Sequence, residues 1–241
     1  MPQHHAFNRA FNRLTPATLQ AVNELLVQAA VGLGLEDGQQ LRVDTTVVET
    51  DIQHPTDNTL LWDTVRVITR LIGYLAQAVG RKMKGFRNRT RAARRRMQAI
   101  QRMTALQRHQ QQTKKYRQLV TITEQVVASA RRVLKQTQKA RGKDLQGDLI
   151  IRSLRPEIDH YCQLGERVID QARRRVLEGE QVPSAEKIYS IFEPHTDLIK
   201  RGKVQTPVEF GHKLFLAESA QGLITQYDSA RINYPPSAQI N

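Results

Sequence analysis

The sequence contains a long segment without proline, from residue 81 to residue 141, in which Gly85 is the only glycine. Because proline and glycine most often interrupt helices, this segment predicts one very long helix or a pair of helices. Residues 81–103 are basic on almost every side and have too few apolar residues for an ordinary core. The following part carries an apolar stripe at spacings of three and four residues, which requires a partner helix. Its members are Tyr116, Leu119, Ile122, Val126, Ala130 and Val133.

The predicted partner is a second helix over residues 148–178, after a break at residues 142–147. The same spacing recurs there, and the short connection favours an antiparallel helical hairpin. The recurring residues are Ile158, Tyr161, Gly165, Val168, Ala172 and Val176. Three consecutive arginines, Arg173, Arg174 and Arg175, are expected to add positive charge to this region.

Positive charge is concentrated in the same segment. Residues 81–143 hold 20 Lys or Arg and one acid, Glu124, which gives a local balance of +19 within a whole-chain net charge of +14. Positive side chains this close together repel one another, and binding to phosphate groups relieves the repulsion. The segment therefore predicts a nucleic-acid partner, whose backbone it would contact without base specificity. The predicted DNA-binding residues are Arg81, Lys82, Lys84, Arg87, Arg89, Arg91, Arg94, Arg95, Arg96, Lys200, Arg201 and Lys203.

Two compositional features exclude other classes of protein. Cys162 is the only cysteine, which rules out an intrachain disulfide or a Cys-rich zinc site, and its helical surroundings indicate a buried small residue rather than a nucleophile. The apolar runs are short, and the amino-terminal residues lack the apolar centre of a secretory signal. We therefore expect no membrane segment and a cytoplasmic location.

The amino-terminal third predicts a helix, a strand and a second helix. Residues 14–31 form the first helix, with Thr15 as N-cap, and we expect it to pack against the strand. In the strand, residues 41–48, Asp44 projects on the face opposite to Val43. A carboxylate held on a rigid strand suits a divalent metal.

The next predicted helix runs from residue 58 to residue 79, after the stop at HPTDNT. Asp57 and Asp63 lie near its beginning, where acids favour the helix dipole, and we favour this capping role over metal binding by Asp51 or Asp57.

Near the carboxyl end the pattern changes to the alternation of a strand. Residues 208–216 alternate, a turn follows at residues 220–222, and residues 223–227 predict the second strand of a hairpin beside the Asp44 strand. His195 and Asp197 could ligate a metal, but we favour an extended turn whose polar groups bind backbone.

Two blocks resemble a known family. VDTTVVETDIQHPTDNTLLWDTVRVI and IYSIFEPHTDLIKRGKVQTPVEFGHKLFLAESAQGLITQYD are similar, in order, to conserved segments of DDE-type insertion-sequence transposases of the ISNCY group, which have an RNase H-like fold. The resemblance implies phosphodiester cleavage and strand transfer with Mg²⁺ (or Mn²⁺) held by three carboxylates. It makes Asp44 the first of the three, a catalytic residue and metal ligand. Glu209, Glu218 and Asp228 do not stand in the context of the other two, so we expect a truncated chain, inactive on its own.

We therefore predict an α/β fold of the α+β type, predominantly helical, in which a partial RNase H-like core sheet is interrupted by a long basic antiparallel helical hairpin. The expected organisation is a disordered amino terminus, a helix–strand–helix region, the hairpin insertion, a core β-hairpin and an irregular tail. The corresponding boundaries are residues 1–13, 14–80, 81–180, 181–228 and 229–241.

Three functions remain open at this point. The first is an insertion-sequence transposase that binds transposon ends and is associated with the nucleoid. The second is a non-catalytic, basic coiled-coil protein that binds nucleic acid. The third makes the hairpin a protein–protein arm of a homodimer. The first two differ over Asp44, which should lie open on a sheet in a transposase.

Overall fold

The computed structural model describes residues 14–200 and 208–228, and these residues divide into two compact units. One unit, the sheet unit, comprises the chain up to Glu49 and from Ile199 onward, and the other, the helical unit, comprises residues 50–198. The predicted mixture of α and β structure, mostly helical with a small antiparallel sheet, is confirmed. The predicted amino terminus 1–13 and tail 229–241 lie outside the described residues.

The sheet unit begins with helix α1, Pro16–Gly32, and strand β1, Leu41–Glu49. Strand β2, Asp197–Lys200, enters this unit with its last two residues. Strands β3, Val208–Ser219, and β4, Ile224–Asp228, form the hairpin expected from the alternation. Gly222, in the turn between them, has a φ of 84°, a left-handed conformation that favours glycine.

Strand β3 is the centre of the sheet. It pairs antiparallel with β1 over residues 211–219, and with β4 over residues 215–218, so β1 and β4 lie on opposite sides of it. Strand β2 also neighbours β3. Among the described strands β1 pairs with β3 alone, which leaves β1 at an edge of the sheet.

Helix α1 forms where the sequence predicts it, but the expected packing against β1 is wrong. Thr15 caps the helix by accepting a hydrogen bond from the Thr18 N–H at 3.1 Å. The helix contacts β4 instead, where Asn23 donates to the carbonyl of Thr225. No residue of α1 is buried, so its apolar stripe stays largely exposed.

The helical unit contains four long helices and two short turns. The helices are α2 (Asp57–Val79), α3 (Thr90–Gln101), α4 (Ala105–Gln136) and α5 (Leu145–Ala172). Helix α5 continues into a π-helical turn, Arg173–Leu177. A 3₁₀ turn, Ser184–Glu186, follows further along the chain. Residues 81–103 are therefore helical only from Thr90 onward. Asn88 sets this start, since its side-chain oxygen accepts the N–H of Thr90 at 3.0 Å.

The break between α3 and α4 is a capping box. Thr104 Oγ1 accepts the Gln107 N–H, and Gln107 Oε1 accepts the Thr104 N–H at 3.1 Å. Each side chain satisfies a backbone donor that a helix start leaves without a partner, so the basic segment is a pair of helices rather than one.

Helices α4 and α5 run antiparallel, as successive cross-links show. Arg155 of α5 donates to the Leu134 carbonyl near the end of α4, whereas Arg131, one turn earlier in α4, binds Glu166 further along α5. The two helices do not stand apart as an isolated arm, because α2 packs against both. The apolar stripe of α4 is thus buried between α2 and α5, not against α5 alone.

Gly165 of α5 lies at a close contact with both α2 and α4. A Cβ built on it would lie 2.6 Å from the Thr64 methyl of α2 and 3.2 Å from a Val127 methyl of α4. Only a residue without a side chain allows the backbones to come this near. Among the described residues, no helix is both long enough and apolar enough to cross a membrane.

Candidate nucleic-acid interface and the Asp44 strand

Asp44 lies at mid-strand in β1, opposite Leu216 of β3, and its side chain is exposed. Its Oδ1 accepts the N–H of Thr45 at 2.7 Å, which leaves Oδ2 for an external ligand. The geometry is that of a carboxylate displayed from a sheet, because β-strand pairing fixes its backbone while no described residue buries its side chain.

The remaining ligands of a two-metal centre are not found beside Asp44. Within residues 14–200 and 208–228, no three His, Cys, Asp or Glu side chains come together in a way that could hold a metal ion. Asp44 alone does not fit the donor set that Mg²⁺ requires, which is several oxygen ligands around one ion. Among the described residues, Asp44 is therefore a single exposed carboxylate without the further ligands of a metal site.

Asp57 is not a metal ligand, because protein groups already hold it. It begins α2, is only 6% exposed, and receives Gln171 Nε2 on Oδ1 and Arg175 Nη1 on Oδ2, each at 2.8 Å. Gln171 also accepts the backbone N–H of Ile188 at 2.7 Å. The carboxylate therefore ties α2 to the end of α5 and to the segment beyond it, rather than serving only as a helix cap.

Tyr116 of α4 extends this buried polar cluster. Its hydroxyl donates to Asn58 Oδ1 at 3.3 Å. Burial, followed by the negative charge of Asp57, raises the pKa of Tyr116 to about 12. Burial likewise raises the pKa of the Cys162 thiol to about 12, in agreement with an inert core residue.

The other candidate metal ligands near the second block have structural partners. His195 lies within 3.3 Å of the Glu193 carboxylate, and Thr196 is buried with its hydroxyl 3.0 Å from that of Thr50. Asp197 begins β2. The segment is a turn leading into a strand, which is the interpretation favoured from the sequence.

The lysines and arginines of residues 81–117, hereafter the basic surface, form no ion pair with any acid that the structure describes. Fourteen Lys or Arg and no Asp or Glu occur in this range. Of the ion pairs that the described residues form, none involves any of them. Their charge is therefore uncompensated. The set includes the predicted residues Arg81, Lys82, Lys84, Arg87, Arg89, Arg91, Arg94, Arg95 and Arg96.

Most of these side chains are exposed. Arg89 and Arg96 are half-buried, whereas the other seven predicted residues of this range face solvent. Helix α3 turns Ala93 and Ile100 inward, and this places Arg91, Arg94 and Arg95 on its outer side. Lys200 is exposed at the end of β2, in the other unit, and Arg201 and Lys203 lie outside the described residues.

The arginines nearer the ends of α4 and α5 behave differently. Arg131 pairs with Asp159 and Glu166, and Arg173 pairs with Glu124. Arg174 bonds to Glu180 at 2.6 Å and to Glu186 at 2.9 Å, and these bonds raise its pKa. With Arg175 on Asp57, the three arginines 173–175 are neutralised, so the expectation that they add positive charge is wrong.

Two concavities open on the basic surface. The first, of about 280 Å³, is lined by Arg87, Arg89, Arg91, Arg95 and Arg96 together with Asn88 and Ala92. The second, of about 510 Å³, lies between α3 and α4 and shares Arg96 with the first. We call the second concavity the α3–α4 groove.

Sequence reasoning found the basic surface but missed its boundary. Charge counting alone does not separate residues 81–117 from Arg131 and Arg173, because the acidic partners of these two arginines lie 28 to 49 residues away on another helix. The one available signal was the absence of any acid before Glu124. Comparison with protein-family models, curated proteins and solved structures finds no match for this chain.

Proposed function

We propose that this protein is a DNA-binding component of an insertion-sequence transposase of the DDE type. The basic surface would hold the phosphate backbone of the transposon ends, and an RNase H-like sheet would present Asp44 as one carboxylate of the metal-binding set. On this proposal the protein works at the nucleoid, in the bacterial cytoplasm.

The observation that carries the proposal is the uncompensated charge of residues 81–117. Fourteen cations without one acid repel one another, and exposure of most of their side chains to solvent reduces this repulsion. A polyanion relieves the repulsion, and binding to DNA also gains entropy through the release of condensed counterions. Arginine predominates, and its planar guanidinium binds phosphate oxygens in pairs.

The position of Asp44 supports the catalytic half of the proposal. An exposed carboxylate at the middle of β1, with β3 beside it and β4 beyond, is the arrangement expected for the opening strands of an RNase H-like sheet.

The non-catalytic alternative is favoured by one observation, the lack of a three-ligand metal cluster among the described residues. It predicts the same DNA binding but no role for Asp44. The homodimer arm has less support, because the apolar stripe of α4 is already covered by α2 and α5.

The DNA-binding half is tested by charge neutralisation. Changing Arg91, Arg94 and Arg95 together to glutamine should weaken duplex binding at low ionic strength by about tenfold or more, since three phosphate contacts are lost. The matched control changes Lys139, Arg152 and Arg167, three exposed cations elsewhere in the helical unit, and should bind like the wild type. An equal loss of DNA affinity in both variants would show that only the net charge of the protein matters, and it would contradict a specific role for these three arginines.

The role of Asp44 is tested with Mn²⁺ as a paramagnetic probe. In the presence of a short duplex, whose phosphates supply further oxygen ligands, Mn²⁺ should broaden the amide signals of Asp44 and Thr45. Asp44→Asn should remove this broadening, and Asp37→Asn, at an exposed acid of the same unit, should not. If Asp44→Asn leaves the broadening unchanged while DNA still binds, the non-catalytic alternative is the better description.

A further inference from the structure

The α3–α4 groove has two chemically different ends. Arg96, Lys114 and Arg117 line one end, whereas the other is lined by neutral groups, including Gln118, Thr121 and Ile122. The residues from α4 recur at spacings of three and four, so they form one face of that helix. The groove follows this face for about 16 Å, at 1.5 Å per residue.

The neutral end offers a specific polar contact. Gln118 Oε1 is enclosed, and no group of the described residues hydrogen-bonds to it. Buried amide oxygens almost always have a partner, and the side chain that carries this one lines the groove. Ile122 lies one turn further along the helix and packs partly against the core, which gives the groove a fixed apolar wall.

A ligand that matches this lining carries negative charge at one end and hydrogen-bond donors at the other. A nucleotide has this form, with a phosphate for Arg96, Lys114 and Arg117 and a base whose amino group can donate to Gln118. The volume of about 510 Å³ is within the range of about 300–1,000 Å³ that is typical of small-molecule sites. A base can enter only if it is not paired and stacked inside a duplex.

We propose that the α3–α4 groove binds one unpaired nucleotide of a DNA strand whose neighbouring phosphates lie on the arginines of the first concavity. Arg96 lines both concavities and so connects the two parts of the site. This inference rests on the proposed DNA binding and names its substrate: DNA with an unpaired nucleotide next to duplex, rather than uniform duplex.

The test compares two DNA probes with the same number of phosphates. One is a blunt duplex, and the other is a duplex with a three-nucleotide overhang that carries 2-aminopurine at the first unpaired position. The full-length protein should bind the overhang probe about tenfold more tightly. Because 2-aminopurine brightens when it leaves its stacked neighbours, its fluorescence should rise at least twofold on binding.

Two variants separate the groove from the rest of the basic surface. Gln118→Ala removes the polar contact, and Thr121→Trp fills the groove from an exposed position without touching the core. Each variant should bind the overhang probe and the blunt duplex with about the same affinity. Its affinity for the blunt duplex should differ from that of the wild type by less than about twofold. Gln111→Ala, on an exposed part of α4 outside the groove, is the control and should retain the preference.

The outcomes distinguish this inference from the proposed function. Equal binding of both probes with unchanged fluorescence overturns the nucleotide site and leaves DNA binding intact. Failure to bind either probe at low ionic strength overturns both. A free mononucleotide that competes with the overhang at comparable concentration would show that the groove takes nucleotides by themselves, and this would overturn the assignment to a DNA strand.

Discussion

The Asp57 carboxylate is almost enclosed by protein, yet it keeps a cation and an amide as partners. Gln171 and Arg175 approach it from the same side of the α5 end, four residues apart. A buried charge of this kind stabilises little in net terms, but removal of one partner leaves the other without compensation. The cluster thus fixes how α2 and α5 meet.

Asp57→Ala should therefore destabilise the protein by about 2–3 kcal/mol, because it leaves Arg175 and the buried Gln171 without their acceptor. Asp63→Ala is the control. Asp63 pairs with Arg66 on the surface of the same helix, and its loss should change the stability by less than about 1 kcal/mol. Urea unfolding measures the free energy of unfolding of both variants. A similar loss of stability in the two would show that the buried Asp57 cluster contributes no more than a surface ion pair.

Tyr116 makes a prediction about alkaline pH. Its pKa is about 12 in the folded protein, compared with 10 for an unhindered tyrosine. A folded-state pKa above the unfolded one contributes stability that is complete below pH 10 and is lost as pH rises toward 12. Relative to Tyr116→Phe, the wild type should lose about 1.4 kcal/mol per pH unit in this window.

The measurement is the free energy of unfolding in urea at pH 9, 10 and 11. Other groups that titrate in this range are present in both proteins, so the difference isolates Tyr116. Tyr74→Phe, at an exposed position of α2, should lose stability with pH as the wild type does. Parallel curves for the wild type and Tyr116→Phe would contradict the assigned pKa.

At the scale of elements, the contact of three helices at Gly165 determines how the helical unit packs. Alanine in place of glycine normally stabilises a helix by about 1 kcal/mol. At Gly165 the added methyl meets Thr64 at 2.6 Å, so Gly165→Ala should instead destabilise by about 1–3 kcal/mol. Gly73→Ala, in α2 with no atom within 4 Å of its new Cβ, should stabilise. Thermal unfolding should show a lower melting temperature for Gly165→Ala and a higher one for Gly73→Ala. A higher melting temperature for Gly165→Ala would contradict this packing.

The elements themselves were largely predictable. The period-two pattern gave the β3–β4 hairpin, and Thr15 with Pro16 gave the start of α1. The sequence allowed one helix or a pair over residues 81–141 but did not place the break at Thr104, because its capping box uses glutamine inside a polar run that otherwise resembles continuous helix. The place of α1 beside β4 was unpredictable, since an apolar stripe shows that a helix needs a partner but not which one.

For the whole molecule, the candidate site was predictable only in part. Local charge counting identified the basic surface, and strand alternation placed Asp44 on a sheet face. The neutralisation of Arg131 and of residues 173–175, the burial of Asp57 and the α3–α4 groove all depend on contacts between distant segments. Such contacts follow from tertiary packing and leave no periodic signal in the sequence.

The central claim is that the cations of residues 81–117 bind phosphate because no acid lies among them in the sequence and no acid of the described residues pairs with them. The most direct measurement is the dependence of duplex affinity on salt. Each phosphate contact contributes about 0.9 to the slope of log affinity against log salt concentration. The glutamine triple variant at Arg91, Arg94 and Arg95 should have a slope lower by about 2–3, and the triple variant at Lys139, Arg152 and Arg167 should keep the wild-type slope. An unchanged slope in the first variant, or an equal fall in the second, would contradict the claim.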